Sequence, residues 1–316
     1  MHLCFTILNA MIFEVKNILK YWVLSEKQEF HVIPTDTINI HIDKDALLRS
    51  GIMLPDSIRH LKGKELKNAI PDKIYISLKD MRILTKVDML MLEMLANCNW
   101  ERPLYLAISV GSVSKLKFDN YFVQEGLAFR FTPFDYKKWG DVGENRLYAV
   151  DVERLYDNVM NRYKYGGLDT PGLYLDETTL RTCWYHRRLF AQLAKELIAQ
   201  GDNERAKKVL AYAEQVIPGY NVPETHESGS YDIATAYAAL GEKTKAVTLA
   251  VHLIAEAEDY INWAFSLKGN RIEMVRNDCI YKFWQWNQYN ELLKKIDGEK
   301  YKESNRQFEE KYALFA

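Results

Sequence analysis

The densest polar segment of the chain is Asn97-Cys98-Asn99-Trp100-Glu101-Arg102-Pro103, directly before an apolar run. Loops at strand ends often carry binding or catalytic residues. Glu101 has the side chain of a general acid or base, and Trp100 has one that stacks on a sugar. The structural alternative is a helix end capped by asparagine, followed by a Glu101–Arg102 pair and a strand that starts at Pro103. A single carboxylate without an identified partner is weak support for catalysis.

A second group of candidate side chains follows at Trp184-Tyr185-His186-Arg187-Arg188. Aromatic and basic residues in this combination can stack on and clamp an anionic ligand or a sugar. The alternative is an ordinary helix with one aromatic face and one solvated face. The predicted contacts to a ligand or partner are therefore Asn97, Asn99, Trp100, Glu101, Arg102, Trp184, His186 and Arg187.

A third aromatic group lies at Phe283-Trp284-Gln285-Trp286-Asn287-Gln288-Tyr289. It is typical either of a packed core or of a surface that binds sugars or partners. Because these residues occupy successive helical positions, they cannot all be buried on one side of a helix. Part of this helix must therefore meet another element, a partner or a membrane.

The sequence contains no recognisable metal or cofactor motif. It has no Cys-x-x-Cys pair, no His-Glu-x-x-His, no phosphate-binding loop and no dinucleotide fingerprint. His31 and His41 lie ten residues apart on one predicted strand, which does not make a metal site. We predict no catalytic residue, metal or cofactor. The four cysteines are expected to be free and buried, with two disulfides as the open alternative: Cys4, Cys98, Cys183 and Cys279.

Composition restricts the class of partner. The 316 residues include 42 Lys and Arg against 43 Asp and Glu, which gives a net charge of -1. A nucleic-acid-binding protein usually carries a basic surplus, so nucleic acid is not an expected partner. Hydrophobic residues make up 48% of the chain, which is typical of a globular protein with a substantial core.

The first 150 residues predict an apolar docking helix within 1–29 and a small α/β domain within 30–150. The apolar N-terminal run is shorter than the roughly 20 residues of a membrane span, and it lacks the features of a signal peptide. Strands are predicted at Phe30–Ile42, Lys73–Leu78, Pro103–Val110 and Leu127–Phe134. In the first of them Ile38, Ile40 and Ile42 alternate with Thr37, Asn39 and His41, which predicts a half-buried strand. A short helix is predicted to start at Pro55-Asp56-Ser57 and to be interrupted by Gly63, and another is predicted at Asn120–Gln124. With the helix Val87–Leu95 between them, the second and third strands predict a βαβ unit with parallel pairing, hence a partly parallel sheet.

Residues 151–316 predict an all-α region, starting with an amphipathic helix at Val152–Tyr163 and a later helix capped by Asp176. The motif Gly-acidic-x-x-basic-Ala occurs at Gly201 and again at Gly241, 40 residues later. The surrounding small and large apolar positions fit helical hairpins of the tetratricopeptide type near 187–218 and 227–258. Any antiparallel helix pair with a glycine turn is the alternative.

Four motifs together resemble the C-terminal soluble part of a bacterial family of multi-spanning membrane proteins of unknown function. They are Asn97-x-Asn99-Trp100-Glu101-Arg102-Pro103-Leu104-Tyr105, Tyr121-Phe122-x-x-Glu125-Gly126-Leu127-Ala128-Phe129-Arg130, Tyr165-Gly166-Gly167 and Tyr174-Leu175-Asp176-Glu177. That family is similar to protein O-mannosyltransferase-like glycosyltransferases of the GT-C type. The resemblance covers 28–316 and implies an extracytoplasmic α/β domain with helical repeats. The acids of glycosyl transfer would belong to a membrane region that this sequence lacks, so no catalytic residue is carried over.

Two hypotheses follow. The first is a non-catalytic, soluble accessory domain whose concave helical face binds a protein segment or a glycan acceptor, possibly beside a membrane-embedded partner half. The second is a stand-alone carbohydrate-active enzyme or glycan-binding protein that uses the loop 97–102. The resemblance implies the periplasmic face of the inner membrane. Without that context, the lack of an export signal predicts the cytoplasm.

Overall fold

The chain divides into two compact units, Met1–Asp151 and Val152–Ala316. The computed structural model describes residues 14–23, 26, 37–79, 83–110, 118–142 and 148–315. The first unit contains small sheets and short helices, and the second is helical. Most of the predicted N-terminal docking helix, His31 and Cys4 lie outside the described residues. Cys98, Cys183 and Cys279 are free thiols.

The first unit is built from four described helices and six described strands. The helices are α1 (Val15–Ile18, continued by a π-helical turn Leu19–Val23), α2 (Lys44–Arg49), α3 (Gly63–Ala69) and α4 (Lys86–Asn97). The strands are β1 (Thr37–His41), β2 (Lys73–Ser77), β3 (Tyr105–Ala107), β4 (Phe122–Gln124), β5 (Ala128–Phe131) and β6 (Ala149–Val150).

Strands β1 and β2 form a two-stranded antiparallel sheet. The predicted alternation is present: Ile38 and Ile40 are buried on one face of β1, while His41 is exposed. Asn39 is buried as well, because the segment at Glu14 lies against it and forms a bridge to its backbone. The opposite face of β1 is therefore buried at Asn39 and solvated at His41.

Helix α4 confirms the predicted helix at Val87–Leu95. It begins at a capping box, in which the Thr85 side chain accepts from the Asp88 N–H and Asp88 bonds back to Thr85. Leu92 and Leu95 are buried, whereas Leu90 and Met94 are exposed. Its run of Met and Leu predicts a buried helix, but the helix is amphipathic and only one face of it is buried.

The predicted parallel pairing around α4 is wrong. The strand before α4 pairs with β1, and the strand after it belongs to a second sheet with the order β3-β5-β4-β6. The chain turns at two left-handed residues, Asn99 and Trp100, and the strand that follows pairs antiparallel with β5. The parallel pair lies elsewhere, between β4 and β6.

Two predicted short helices differ from the structure. The segment at Pro55–Ser57 forms turns, and a helix begins only at Gly63, the residue expected to interrupt one. The segment at 120–124 is a 3-10 turn, Asp119–Tyr121, followed directly by β4. Phe122 and Val123 are buried in the sheet, and this tertiary burial outweighs local helix preference.

In the described part of the second unit, helices joined by turns and loops form the regular structure. They are α5 (Val152–Asp157, continued by a π-helical turn Asn158–Arg162), α6 (Glu177–Ala199), α7 (Asn203–Val216), α8 (Ser230–Ala239), α9 (Lys243–Ser266), α10 (Arg271–Met274), α11 (Arg276–Ile296) and α12 (Gly298–Phe315). Asp176 caps α6, as predicted, and accepts from the Thr178 and Thr179 N–H groups. No helix in the described ranges has both the length and the apolar composition to cross a membrane.

Helices α6 and α7 form one hairpin, and α8 and α9 form another. Each turns at a glycine with a left-handed backbone, Gly201 (φ 80°) and Gly241 (φ 79°). These are the two turn positions that the repeated motif predicts. Small residues at the contact, Ala194 and Ala206, are fully buried. The two hairpins are therefore present, and their assignment to the tetratricopeptide type stays a prediction.

The aromatic segment 283–289 is divided between core and surface. Phe283, Trp286 and Tyr289 are buried on one face of α11. The Trp286 Nε1 donates to Ser304 Oγ of α12 at 2.8 Å. Trp284 points outward and is half-exposed. Helix α12 therefore covers one side of α11 and leaves another side open.

Two glycines in the second unit give a matched test of packing. Gly229 and Gly241 have φ values of 84° and 79°, and a left-handed alanine costs about 1–2 kcal/mol at either position. An added Cβ at Gly229 would lie 2.9 Å from Arg188 Cγ and 3.3 Å from Arg188 Cα, whereas nothing lies within 4 Å at Gly241. We expect Gly229→Ala to lower the free energy of unfolding by about 1–3 kcal/mol more than Gly241→Ala does. Denaturant unfolding followed by circular dichroism measures this difference, and equal losses would contradict it.

Candidate functional site

A cavity of about 540 Å³ opens in the first unit beside the end of α4. We call it the loop pocket. Its polar lining consists of Glu14, Lys16, Asn39, His41, Asp43, Lys44, Asp45, Lys67, Asp72, Asn99 and Glu101, and Trp100 also lines it. Three of the eight predicted contact residues, Asn99, Trp100 and Glu101, therefore meet at one cavity.

The end of α4 sets the position of these three residues. Asn97 Nδ2 donates to the Glu93 carbonyl at 2.9 Å and so caps the last turn of α4. This agrees with the alternative interpretation of the loop, in which an asparagine caps the helix end. Asn99 and Trp100 then adopt left-handed backbone conformations, with φ values of 48° and 61°. Asparagine tolerates this region, but a bulky residue such as tryptophan rarely occupies it. Such strain persists only where surrounding contacts impose it.

The indole of Trp100 provides those contacts. Its ring is only 6% exposed and stacks on Phe131 with centroids 6.1 Å apart. Its Nε1 donates to the His41 carbonyl at 2.9 Å. The hypothesis that Trp100 offers a stacking face to a sugar is therefore wrong, because that face is buried against the protein. Trp100 instead holds Asn99 and Glu101 at the pocket.

Asn99 and Glu101 are the exposed members of the predicted loop at the pocket, whereas Asn39 is a buried lining residue. Asn99 Oδ1 accepts a long hydrogen bond of 3.4 Å from Lys16 Nζ, and Glu101 is exposed. Asn39 is only 5% exposed, and its Oδ1 has no hydrogen-bond donor within the described part of the chain. A buried amide oxygen without a donor is costly, and an ordered water or ligand usually satisfies it. The pocket thus offers both donors and acceptors.

Three of the five carboxylates of the pocket are already engaged. Asp43 caps α2 by accepting from the Ala46 N–H at 2.9 Å. Asp72 pairs with Lys44 at 2.8 Å, and Asp45 pairs with Lys67. The hydrogen bond from each lysine lowers the pKa of its aspartate below the usual range. Both aspartates are therefore firmly ionised at neutral pH.

The remaining residues of the loop point away from the pocket. Asn97 and Arg102 are exposed and do not line it. Within the described ranges, no ion pair joins Glu101 to Arg102, so that part of the structural alternative is not observed. The same ranges contain no group of three His, Cys, Asp or Glu side chains arranged to hold a metal.

Arg187, predicted as a ligand clamp, is a structural residue. It is 3% exposed and donates to four neutral oxygens: Pro223 O at 2.8 Å, Ser228 Oγ at 3.0 Å, Ile217 O at 3.1 Å and Val222 O at 2.6 Å. Burial lowers the pKa of Arg187 to about 10, so the group stays protonated at pH 7. Its bonds tie the segment between α7 and α8 to α6.

The other two candidates of this group pack within the second unit. His186 meets Tyr163 and Tyr165 edge-on, with centroids 5.6 Å and 5.4 Å apart. Burial lowers the pKa of His186, so its ring is neutral at pH 7. Trp184 is half-buried. The structure therefore does not bring Trp184, His186 and Arg187 together as one exposed clamp.

A second cavity, of about 410 Å³, runs along α7, α8 and α9. We call it the hairpin groove. Its apolar walls include Leu210, Ile217, Ile233 and Leu249. One end carries a polar group in which Glu214 accepts from both Tyr237 and Lys245.

Sequence reasoning missed part of the loop pocket. The strand alternation at 37–42 had a usable signal, since it placed Asn39 and His41 on the same polar face of β1. Lys16, 83 residues before Asn99, carried no such signal. Its place in the pocket depends on the tertiary packing of α1.

Comparison with known proteins gives one family. Residues 5–153 match the family model described as TMEM260-associated domain 2. The family has no known function, and TMEM260 is a membrane protein. The match spans every residue of the loop pocket. Neither the curated proteins nor the solved structures include a match to this chain.

The role assigned to Trp100 makes a stability prediction. Trp100→Phe keeps a ring against Phe131 but removes the donor to the His41 carbonyl, so a partly buried acceptor loses this hydrogen bond. We expect the free energy of unfolding to fall by about 1–3 kcal/mol. The control, Trp263→Phe, changes a half-exposed ring and should shift it by less than about 0.5 kcal/mol. Equal small effects in denaturant titrations would show that Trp100 is not an anchor.

Proposed function

We propose that this protein is a non-catalytic binding domain that holds a glycan acceptor in the loop pocket. The observation that carries this proposal is the pocket itself, about 540 Å³ in volume, with Asn99 and Glu101 held at it by a strained, anchored turn. Cavities of this size suit small ligands or the end of a longer chain.

The chemistry of the lining favours a polyhydroxylated ligand. A sugar hydroxyl both donates and accepts a hydrogen bond, and the pocket presents partners for both. Asn99 offers an amide group, Glu101 offers acceptors, and Lys16 offers donors. Three lysines stand among five carboxylates, so the pocket has a net charge of -2 and does not favour an anionic ligand.

The state of the carboxylates supports binding rather than catalysis. Glycoside chemistry generally needs one carboxyl group with a raised pKa to act as a general acid. Asp45 and Asp72 have the opposite shift, because Lys67 and Lys44 hold them in the ionised form. Glu101 is exposed at the rim. An enzyme that works in this pocket is thus the weaker of the two hypotheses.

The wider context of the proposal is a membrane protein. The family match extends over the whole pocket and carries the name of a membrane protein. The four motifs also resemble the region that follows the membrane spans in GT-C-like proteins. On this proposal, the domain presents an acceptor to a membrane-embedded glycosyltransferase-like partner on the extracytoplasmic face.

Saccharide titrations test this proposal. Wild-type protein is titrated with a panel of neutral monosaccharides and disaccharides by ligand-observed NMR. Glu101→Gln, which alters a lining residue, is expected to weaken binding by about fivefold or more, because a charged acceptor is lost. Arg102→Gln, on the neighbouring exposed residue that does not line the pocket, should bind like wild type. If no saccharide binds wild type, or both variants lose affinity equally, the proposal fails.

A second candidate function is supported by the hairpin groove. Its apolar walls and its charged end at Glu214 and Lys245 suit a protein segment with apolar side chains and a few polar groups. This use agrees with the proposed tetratricopeptide-like character of the hairpins, whose stacked helices form extended binding faces. A protein segment would then bind the second unit independently of the glycan site.

Blocking the groove tests this candidate. Thr248 is exposed and lines the groove, whereas Thr182 is exposed on α6 away from it. A short-peptide display library should yield sequences that bind wild type and Thr182→Trp. The same sequences should bind Thr248→Trp about tenfold more weakly, because the large ring fills the groove. Equal binding to all three proteins would rule the groove out.

A further inference from the structure

An aromatic cluster on the second unit has no part in either cavity. It is centred on His226 and includes Tyr231, Tyr281, Trp284 and Tyr289, whose rings lie 5.6–6.1 Å from the imidazole. The His226 Nδ1 is hydrogen-bonded to the Tyr289 hydroxyl at 2.9 Å. We call these five residues the aromatic surface.

Two rings of the aromatic surface face solvent. Tyr281 and Trp284 lie one turn apart on α11 and stack with centroids 5.6 Å apart and planes 13° apart. They are 45% and 49% exposed, although each also packs against the His226 ring. Within the described part of the chain, no Lys or Arg side chain lies over either ring. Their electron-rich faces are open.

Charged groups of both signs surround these rings: Glu227, Asp232 and Glu256 are acidic, and Lys282 and Arg188, which donates to the Glu227 backbone carbonyl, are basic. Gln285 Nε2 donates to Glu227 at 3.1 Å, and Lys282 Nζ donates to Glu256 at 2.9 Å. Lys282 is thus already paired, while Glu227 and Asp232 add negative charge near His226. Burial lowers the pKa of His226, with Glu227 and Asp232 acting in the opposite direction. The imidazole is neutral at pH 7 and brings no positive charge.

Unpaired acceptor atoms add to this negative potential. Glu256 Oε2 and Gln285 Oε1 are buried beside the cluster with no hydrogen-bond donor among the described residues. Inside a protein such oxygens act through a low dielectric and are not screened as they would be in water. Carboxylates, unpaired oxygens and aromatic faces all attract positive charge.

We propose that the aromatic surface binds an arginine side chain of a basic peptide segment. The planar guanidinium stacks on the face of Trp284 that is not turned toward Tyr281, and its N–H groups reach the carboxylate of Glu227. Arginine suits this surface better than lysine, because its flat, weakly hydrated cation stacks on aromatic rings and donates in a fixed plane. The proposal does not depend on the glycan site or on the hairpin groove.

The test uses the whole 316-residue chain and a fluorescently labelled peptide with alternating Gly and Arg, and binding is followed by fluorescence anisotropy. A matched peptide carries Gln at each Arg position. We expect wild type to bind the Arg peptide at least about fivefold more tightly than the Gln peptide, and to lose affinity as salt rises. Trp284→Ala should weaken the Arg complex by about fivefold or more, and Glu227→Gln should reduce its salt dependence.

Trp263 supplies the control, since it is also 49% exposed but packs on Tyr260 away from His226. Trp263→Ala should bind the Arg peptide like wild type. Thermal unfolding confirms that each variant is folded. Equal binding of the Arg and Gln peptides, equal losses in the two tryptophan variants, or no binding to wild type would each overturn the proposal. A saccharide that shifts the Trp284 indole N–H resonance when the Arg peptide does not would reassign the surface to sugars.

Discussion

The first unit depends on the burial of one indole. Trp100 contacts the two-stranded sheet through its hydrogen bond to His41 and the four-stranded sheet through its stack on Phe131. Two consecutive left-handed residues cost about 1–2 kcal/mol each. Truncation of a buried tryptophan typically costs about 3–5 kcal/mol. For two residues the strain totals about 2–4 kcal/mol, so burial of the ring is of the size needed to offset it. The strained turn is kept because the ring holds it, and Asn99 and Glu101 reach the loop pocket as a result.

In the second unit, the buried charge of Arg187 has a similar role, because it fixes the position of a loop segment. Arg187 donates to four neutral oxygens of the segment between α7 and α8. Without these bonds, several carbonyl groups at that position would be buried without donors. The same segment carries His226 and Glu227, and Gly229 fits closely against Arg188. The position of the aromatic surface therefore follows from the bonds of Arg187.

Local patterns in the sequence predicted what is local in the structure. The alternation at Ile38–Ile42 marked β1, the glycines at 201 and 241 marked the hairpin turns, and Asp176 marked a helix start. Pairing between distant segments was not predictable in this way. The strands on either side of α4 had the spacing of a βαβ unit, but each found its partner elsewhere in the chain.

The candidate site shows the same limit. The loop at 97–102 was recognised by its residue types, yet the roles of its members depend on packing. Trp100 and Arg187 have side chains that often bind ligands, and both are buried in structural roles. Conversely, Lys16 became a pocket residue only through the tertiary packing of α1. Residue type and spacing indicate which chemistry is present, but burial decides which side chains can offer it to a ligand.

On the proposed function, the anchored turn presents the Asn99 and Glu101 side chains to a saccharide. Titration of the Asn99→Gly variant tests it most directly. Glycine adopts the left-handed conformation freely, so the fold is kept while the amide is lost. We expect Asn99→Gly to have a melting temperature close to that of wild type and a saccharide affinity lower by about tenfold. An affinity equal to that of wild type, with the fold intact, would contradict it.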